Sequence, residues 1–348
     1  MKRFRKKIDE IDEEIVKLLN ERAKAALEIG IFKKENNKNI IDFRREQDVI
    51  ANILSNSEGI IPEKDLLNIY REIIAATRKL QKSYKVSFLG PQGTFSSIAF
   101  KKFFGNNTEY EARNSLRQVF EDVEKEYSMF GIVPVENSLE GSVNETLECF
   151  FNYNIKIWAE IALKISFNLL SFGDKKDITK IISHSHAIAQ CRNFINSNFP
   201  DIETEAVNST GKAVEMAIAD KNKAAIAAPD SSKIYNIPVL YESIEDNTNN
   251  YTRFHVISLK ENITDKKEKS SFIFAISHKP KSLFNVLEVI SKYNLNMCKI
   301  ESRPIKGIPW EYLFFIDIEN RLPEKFIEDF KGKTTFLKNL GSFPVENI

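Results

Sequence analysis

The chain is poor in cysteine and has no surplus of charge of either sign. Cys149, Cys191 and Cys298 are its three cysteines in 348 residues, and they lie far apart. That spacing offers neither a disulfide framework nor a paired-thiolate metal site, and it fits a reducing, cytoplasmic setting. Lysine and arginine total 50 against 49 aspartates and glutamates. With no global basic field, nucleic acid is not an expected partner. No apolar run is long enough to span a bilayer. The basic start (Lys2, Arg3, Arg5, Lys6, Lys7) leads into no signal-peptide core, so no membrane partner is expected. Gly-x-Gly-x-x-Gly is absent, which argues against a nicotinamide-dependent dehydrogenase. His184-x-His186 would share a face on a strand, but no nearby cysteine or carboxylate completes a metal set. No cofactor is expected. The length implies two or three domains.

What is present begins with a helix whose buried-looking face carries cations. Arg5, Ile8, Asp12, Ile15, Leu19, Arg22, Ala26, Ile29 and Lys33 recur at three-four spacing and lie on one side. Ile8, Ile15, Leu19 and Ile29 mark that side for burial. A seam charge in a bundle is often a register device or reaches out to solvent. Two further helices favour the alternative, that these cations meet a ligand. Residues 42–54 read as a helix opening at Asp42, with Glu46, Val49 and Ile53 on its face and Arg45 beside it. Residues 62–82 read as a helix with Pro62 at its first position and a seam of Leu66, Tyr70, Ile73 or Ile74, Thr77 and Gln81. Polar groups converge on a bundle interior, which is how bundles build small-molecule sites.

Over roughly residues 4–82 the chain resembles the all-helical chorismate mutase family. The family's substrate-holding positions fall on Arg5, Arg22, Lys33, Asp42, Arg45, Glu46, Thr77 and Gln81. The resemblance implies an intertwined dimer in which Arg5 completes the partner's pocket. It implies rearrangement of a dicarboxylate enol ether without nucleophile or metal. The protein holds the reactive conformer and stabilises charge on the breaking ether oxygen. Arg22 and Arg45 suit the carboxylates, Lys33 and Gln81 the ether oxygen, and Glu46 the substrate hydroxyl.

From residue 85 to about 258, strand and helix signals alternate, an α/β pattern suggesting two lobes and a cleft. Strands are expected near 85–89, 129–135, 155–161, 164–171, 178–183, 203–207, 224–228 and 253–259. Helices are expected at 94–104, 115–126, 143–151, 186–197 and 210–219. The turn Gly90 to Gly93 and three loops are dense in small polar groups. The loops are 133–143, 183–191 and 250–254. Singly, each reads as ordinary capping or turn chemistry. Jointly, Gly90-Pro-Gln-Gly-Thr-Phe95, Pro134-Val-Glu-Asn-Ser138 with Gly141-Ser-Val143, Ser183-His184 with Gln190-Cys191, and Thr252-Arg-Phe254 resemble prephenate dehydratase over residues 85–260. One departure is His186, where relatives carry Gln after a Pro. The resemblance implies two lobes like a type II solute-binding protein and a substrate that loses a carboxylate and a ring hydroxyl together. Thr252 matches the proton donor. Thr94, Glu136, Asn137, Ser183 and Gln190 would place the substrate. Arg253 has two readings, a substrate contact or a structural cation buried against Glu136.

Residues 261–270 are charged and read as a solvated linker. Beyond it, strand 271–277, helix 281–293, strands 296–304 and 310–318, helix 323–331 and strand 334–343 give a βαββαβ, ferredoxin-like order. This segment resembles an ACT regulatory domain. Glu301, Ser302 and Arg303 of the Glu301-Ser-Arg-Pro304 motif, with Leu283, would form the effector site. Lys281 stands where relatives have Gly and predicts a crowded wall opposite that motif. Together the resemblances imply an all-α domain at 1–83, a two-lobed α/β domain at 84–262 and an α+β ACT domain at 270–348. They imply chorismate and prephenate as substrates, phenylalanine as allosteric effector, and a homodimer or larger homo-oligomer. The rival reading is a sensor that binds metabolites without catalysis; the polar groups kept in both pockets speak against it.

Overall fold

The computed structural model describes residues 1–36, 42–262, 268–304 and 312–347. The chain forms two compact units, one from Met1–Lys85 with Phe104–Glu109, the other from most of what remains.

The first unit is built on three helices: α1 (Lys2–Glu35), α2 (Phe43–Ser55) and α3 (Glu63–Gln81). Asp42 starts α2 as the sequence predicts, its side chain accepting from Arg45 N at 3.1 Å. Pro62 sits one position earlier than predicted, as the N-cap of α3. The α1 seam differs more. Ile8 is 55 % exposed and Ile15 48 %, with Leu19 and Ile29 also exposed; only Ala26 and Gly30 of α1 are buried. Length explains this. The 34 residues of α1 outreach the 19 of α3, so one chain cannot cover the whole seam.

The second unit holds a seven-stranded and a five-stranded sheet among the described residues. The larger runs in the order Val345–Asn347, Lys156–Lys164, Tyr251–Ser258, Phe130–Asn137, Lys85–Leu89, Glu109–Arg113, with Gly141–Ser142 paired beside Phe130–Asn137. The smaller runs Val239–Tyr241, Asn168–Leu170, Lys223–Ala227, Lys180–Ser183, Glu203–Ala206. The chain passes between the sheets at 165–167 and again at 242–250, so two lobes are joined by two crossings. Each lobe combines parallel strands joined through helices, such as Lys85–Leu89 with Phe130–Asn137 and Lys180–Ser183 with its two neighbours, with antiparallel strands beside them, and their apolar runs are buried. The helix predicted over 186–197 is two short ones, Ser185–Gln190 and Arg192–Asn198, meeting at buried Cys191. The two histidines therefore lie at a helix start rather than along a strand. His184 is the N-cap, its Nδ1 accepting from His186 N at 3.4 Å.

The C-terminal segment has the predicted βαββαβ order, with strand sequence 2-3-1-4 across a four-stranded sheet. One face carries its two helices over Phe272, Phe274, Phe326 and Phe330. The other shares a core with the first lobe, where Ile273, Phe315 and Phe343 meet Phe120, Phe150 and Ile257. The last strand, Val345–Asn347, then pairs in parallel with Lys156–Lys164. The linker expectation changes accordingly. Its middle lies outside the described residues, but its flanks are held. Asn262 Nδ2 donates to Trp158 O at 3.0 Å, and Lys269 Nζ donates to Glu160 Oε1 at 2.6 Å.

Candidate active sites

α1, α2 and α3 enclose a pocket of about 260 Å3. Arg22, Lys33, Asp42, Arg45, Glu46, Thr77 and Gln81 all line it. Arg5 does not; it is exposed near the start of α1. Arg22 Nη1 donates to Thr77 Oγ1 at 2.7 Å, and that hydroxyl donates back to Ile73 O at 2.9 Å. Arg22 is thus anchored across two helices, with its remaining N–H groups available to a ligand. Burial lowers the Lys33 ammonium below its ordinary value, against the opposing pull of Asp42 and Glu46. Gly30 lets α1 approach α3 at the end of the pocket, because a Cβ there would lie 3.1 Å from Gln81. The buried Gln81 Oε1 has no hydrogen-bond partner among the described residues. The arrangement can hold a small dianion, with cations for its ends and donors for its middle.

Sequence reasoning missed Arg78, which lines the same pocket and is 4 % exposed. Its Nε and Nη2 donate to the two oxygens of Glu46 at 3.1 and 2.5 Å, and its Nη1 to Tyr84 Oη at 2.9 Å. The signal was available. Arg78 follows Ile74 by one helical turn, so choosing Ile74 rather than Ile73 for the buried face brings Arg78 into it.

In the second unit a cleft of about 600 Å3 is lined by Thr94, Asn137, Gln190 and Thr252, as expected. Thr252 is 9 % exposed and stands opposite Asn137 on neighbouring antiparallel strands. Asn137 Nδ2 donates to Thr252 Oγ1 at 2.9 Å, while Asn137 Oδ1 accepts from Leu139 N and Glu140 N at 2.9 and 3.2 Å. The amide is therefore held by the turn that follows its strand. The Thr252 oxygen is occupied as an acceptor, which leaves its proton for donation. A chain of side chains continues behind. Asn137 Nδ2 also donates to Asn250 Oδ1 at 2.8 Å, Asn250 Nδ2 to Gln190 Oε1 at 2.9 Å, and Gln190 Nε2 to Glu140 Oε1 at 2.7 Å. Glu140 in turn pairs with His186 Nδ1. Thr94 sits at the start of helix Phe95–Phe104, its hydroxyl 3.0 Å from Pro91 O.

Three expected residues do not line the cleft: Glu136, Ser183 and Arg253. Glu136 and Arg253 are strand neighbours of Asn137 and Thr252, and successive strand residues point to opposite faces, while Ser183 is the last residue of its strand, just before the N-cap His184. Ser183 is fully buried and donates to Ile226 O at 2.6 Å, while His184 beside it lines the cleft. Arg253 faces away from Thr252's side, into Glu136 at 2.5 Å, Glu160 at 3.2 Å and Asp317 at 3.3 Å. Burial alone would lower its pKa, but Glu160, Asp317 and Glu136 override that and hold it raised. Burial likewise opposes ionisation of Glu160, yet His255, Arg253 and Lys269 bring its carboxyl down to about 2. The geometry favours the structural reading of Arg253. Asn114, Glu140, His184, His186, Asn208, Ser209 and Thr210 line the cleft and were not foreseen. Ser209 is legible as a helix cap, accepting from Lys212 N at 3.1 Å.

Glu301, Ser302 and Arg303 lie on the strand Met297–Pro304, which among the described residues pairs on one side only. Arg303 binds Glu301 and Asn144, and Lys299 Nζ lies 3.6 Å from Glu136 and 3.9 Å from Glu301. Leu283 packs against the local core. Lys281 has an exposed side chain and a φ of 68° at the start of helix Ser282–Lys292. The expected crowding is not seen; what the position demands is the left-handed backbone that glycine adopts freely.

A helical pocket for a small dianion and a two-lobed cleft with a hydroxyl donor, carried on one chain, define a bifunctional enzyme of small-acid metabolism. The chorismate mutase type II family model matches residues 4–82, and the prephenate dehydratase model matches residues 86–262. A bifunctional chorismate mutase/prephenate dehydratase of Aquifex aeolicus is 41 % identical, over 99 % of this chain and 98 % of that one. A prephenate dehydratase of Methanocaldococcus jannaschii is 39 % identical over 73 % of this chain and 96 % of its own length. Among solved structures, prephenate dehydratase from Arthrobacter aurescens in complex with L-Phe superposes with a TM-score of 0.70 at 27 % identity, covering 75 % of this chain and 90 % of that one. The chain belongs to the bifunctional chorismate mutase/prephenate dehydratase family. It is an enzyme of phenylalanine biosynthesis, an isomerase that rearranges chorismate to prephenate and a lyase that converts prephenate to phenylpyruvate.

Proposed function

We propose that Arg22 and Arg45 bind the two carboxylates of chorismate, Lys33 and Gln81 donate to its ether oxygen, and Glu46 accepts from its hydroxyl. Asp42 and Thr77 hold Arg45's helix and Arg22 in place. In the dehydratase cleft, Thr252 donates to the departing ring hydroxyl as the carboxylate leaves as carbon dioxide and the ring becomes aromatic. The Asn137–Thr252 hydrogen bond carries this reading, because it aims the hydroxyl proton away from the strand. Thr94 and Gln190 shape the cleft, while Glu136, Ser183 and Arg253 support it from behind. A Thr is a weak acid by its own pKa, so the leaving oxygen and its neighbours must share the proton transfer.

The chain divides, on this reading, into a mutase domain at 1–83, a dehydratase domain at 84–262 and an ACT-type effector domain at 270–348. Phenylalanine is the effector and Glu301, Ser302, Arg303 and Leu283 belong to its site. Support comes from the ferredoxin-like order, the one-sided edge strand and the L-Phe bound by the Arthrobacter protein. A second copy of this chain covers the exposed α1 seam at Ile8 and Ile15 and places its Arg5 at the first pocket. The buried free thiols Cys149 and Cys191 suit a cytoplasmic enzyme.

The test supplies chorismate alone and follows phenylpyruvate absorbance with and without phenylalanine, with mass measured in solution. Phenylpyruvate formation that phenylalanine suppresses, by a dimer or larger assembly, is the expected result. Production indifferent to phenylalanine, with no phenylalanine bound in calorimetry, removes the effector assignment.

A further inference from the structure

We propose that Arg78 is a positioning residue of the mutase pocket, holding Glu46 as a doubly anchored acceptor for the substrate hydroxyl. The proposal rests on the reading that Glu46 takes that hydroxyl. A pocket carboxylate can present itself as acceptor or, once protonated, as donor. Chorismate's hydroxyl is best read by an acceptor that stays one. Asp42 lines the same small space, and Arg22, Lys33 and Arg45 line it as well. Arg78 meets both carboxylate oxygens, at 3.1 and 2.5 Å, in the fork geometry a guanidinium offers.

One hydrogen bond per oxygen leaves further lone pairs on each, and Glu46 lines the pocket with them. The fork also fixes the plane of the carboxylate. Arg78 is held in turn by Tyr84 Oη at 2.9 Å, and at 4 % exposure it has little room to swing. Arg78 therefore acts on the substrate through Glu46 and touches the reaction only by that route.

The experiment measures mutase kcat and KM from pH 4.5 to 8 for the full chain and for Glu46→Gln, Arg78→Met, Arg78→Lys and the double variant Glu46→Gln/Arg78→Met, with circular dichroism as the folding control. Arg78→Met should lower kcat/KM at neutral pH by about tenfold and move the acid side of the pH profile upward relative to the parent. Arg78→Lys should recover most of the loss without that move, since it keeps the charge and loses the fork. The double variant should be no worse than Glu46→Gln, because the route through Glu46 is already gone. An Arg78→Met variant with the parent's pH profile, or losses that multiply in the double variant, would overturn the proposal and leave Arg78 a structural residue. If Arg78→Met does not fold, Arg78→Lys decides by the same rule: a loss that persists on the Glu46→Gln background overturns it. Parent-like kinetics in Glu46→Gln would instead remove the hydroxyl reading of Glu46, whatever Arg78 does.

Discussion

The two sites take related dianions and are built from opposite materials. The mutase pocket gathers Arg22, Lys33, Arg45 and Arg78 around Asp42 and Glu46. Among the described residues, the dehydratase cleft is lined by no lysine or arginine; its ionisable groups are Glu140, His184 and His186, among amides and hydroxyls. The chemistry accounts for the contrast. A rearrangement keeps both carboxylates, so fixed cations can clamp them in ground state and transition state alike while orienting the reactive conformer. The second reaction discards a carboxylate as neutral carbon dioxide. A tight cation on that group would stabilise what must lose its charge and so raise the barrier. Polar walls without a lysine or arginine hold the substrate without that cost.

The comparison breaks most sharply if Arg22 proves dispensable. Arg22→Ala removes a charge-assisted contact to a dianion and frees Thr77. Mutase turnover should fall by at least roughly a hundredfold, with dehydratase turnover unchanged. Steady-state assays of each half-reaction on the one variant check both statements. Near-parent mutase activity would mean that the pocket does not work through its cations.

Thr252→Ala is the mirror test in the cleft that has no lysine or arginine on its walls. Dehydratase turnover should drop by about a hundredfold and the mutase should be spared. Thr252→Ser keeps the hydroxyl within reach of Asn137 and should retain much of the rate. Equal loss in the two variants would show that the hydroxyl is not the working group.

The dehydratase unit does not lack charge; it keeps its charge behind the catalytic strand. Arg253 and Lys269 hold Glu160 there, beside His255. His255 is fully buried and burial lowers its pKa, so at neutral pH it is uncharged, its Nε2–H donating to Glu160 at 3.3 Å. Glu160 titrates at about 2 in the fold against an ordinary 4.5. Its contribution is thus present above about pH 4.5 and is lost as pH falls toward 2, amounting to roughly 3 kcal/mol. Glu160→Gln should destabilise the second unit at neutral pH, leave Arg253 poorly compensated, and flatten its acid unfolding curve below pH 4.5. Chemical denaturation at pH 7 and at pH 3 measures this. An unchanged pH dependence would place the acid-labile charge elsewhere.

The division between cleft and back face also explains what the sequence could show. The helix start at Asp42, the order of elements along the chain and the α/β alternation follow from local capping and periodicity, and they are legible residue by residue. Motif positions were legible too, but a motif names both faces of a strand at once. Thr252 and Arg253, Asn137 and Glu136, and His184 and Ser183 are neighbours of which one lines the cleft. Which face looks inward depends on long-range packing, here on a C-terminal sheet that supplies Asp317 to Arg253. The place of Arg78 on the buried face was legible from Ile74, but its partner Glu46 lies on another helix and that pairing was not. The open α1 seam shows the limit of periodicity: it marks a face for burial without saying which chain covers it.

The smallest expected effect concerns the C-terminal segment, where the proposed phenylalanine site can be tested without touching either active site. Lys281 holds φ at 68°, a conformation that costs a non-glycine residue about 1 kcal/mol, and its side chain points to solvent. Lys281→Gly relieves that strain, but glycine also loses about 0.5–1 kcal/mol through its freer unfolded chain. The two nearly cancel, so the melting temperature should barely move. On the effector reading proposed above, the same substitution also removes an ammonium that would compete with the ligand's own amine. Surface charges act weakly through solvent, so phenylalanine should bind about two- to threefold more tightly, and less so in high salt. Calorimetric titration of both proteins at two salt concentrations reads the difference. A gain of tenfold or more, insensitive to salt, would show that the side chain crowds the site after all and that its exposed placement does not describe the bound state.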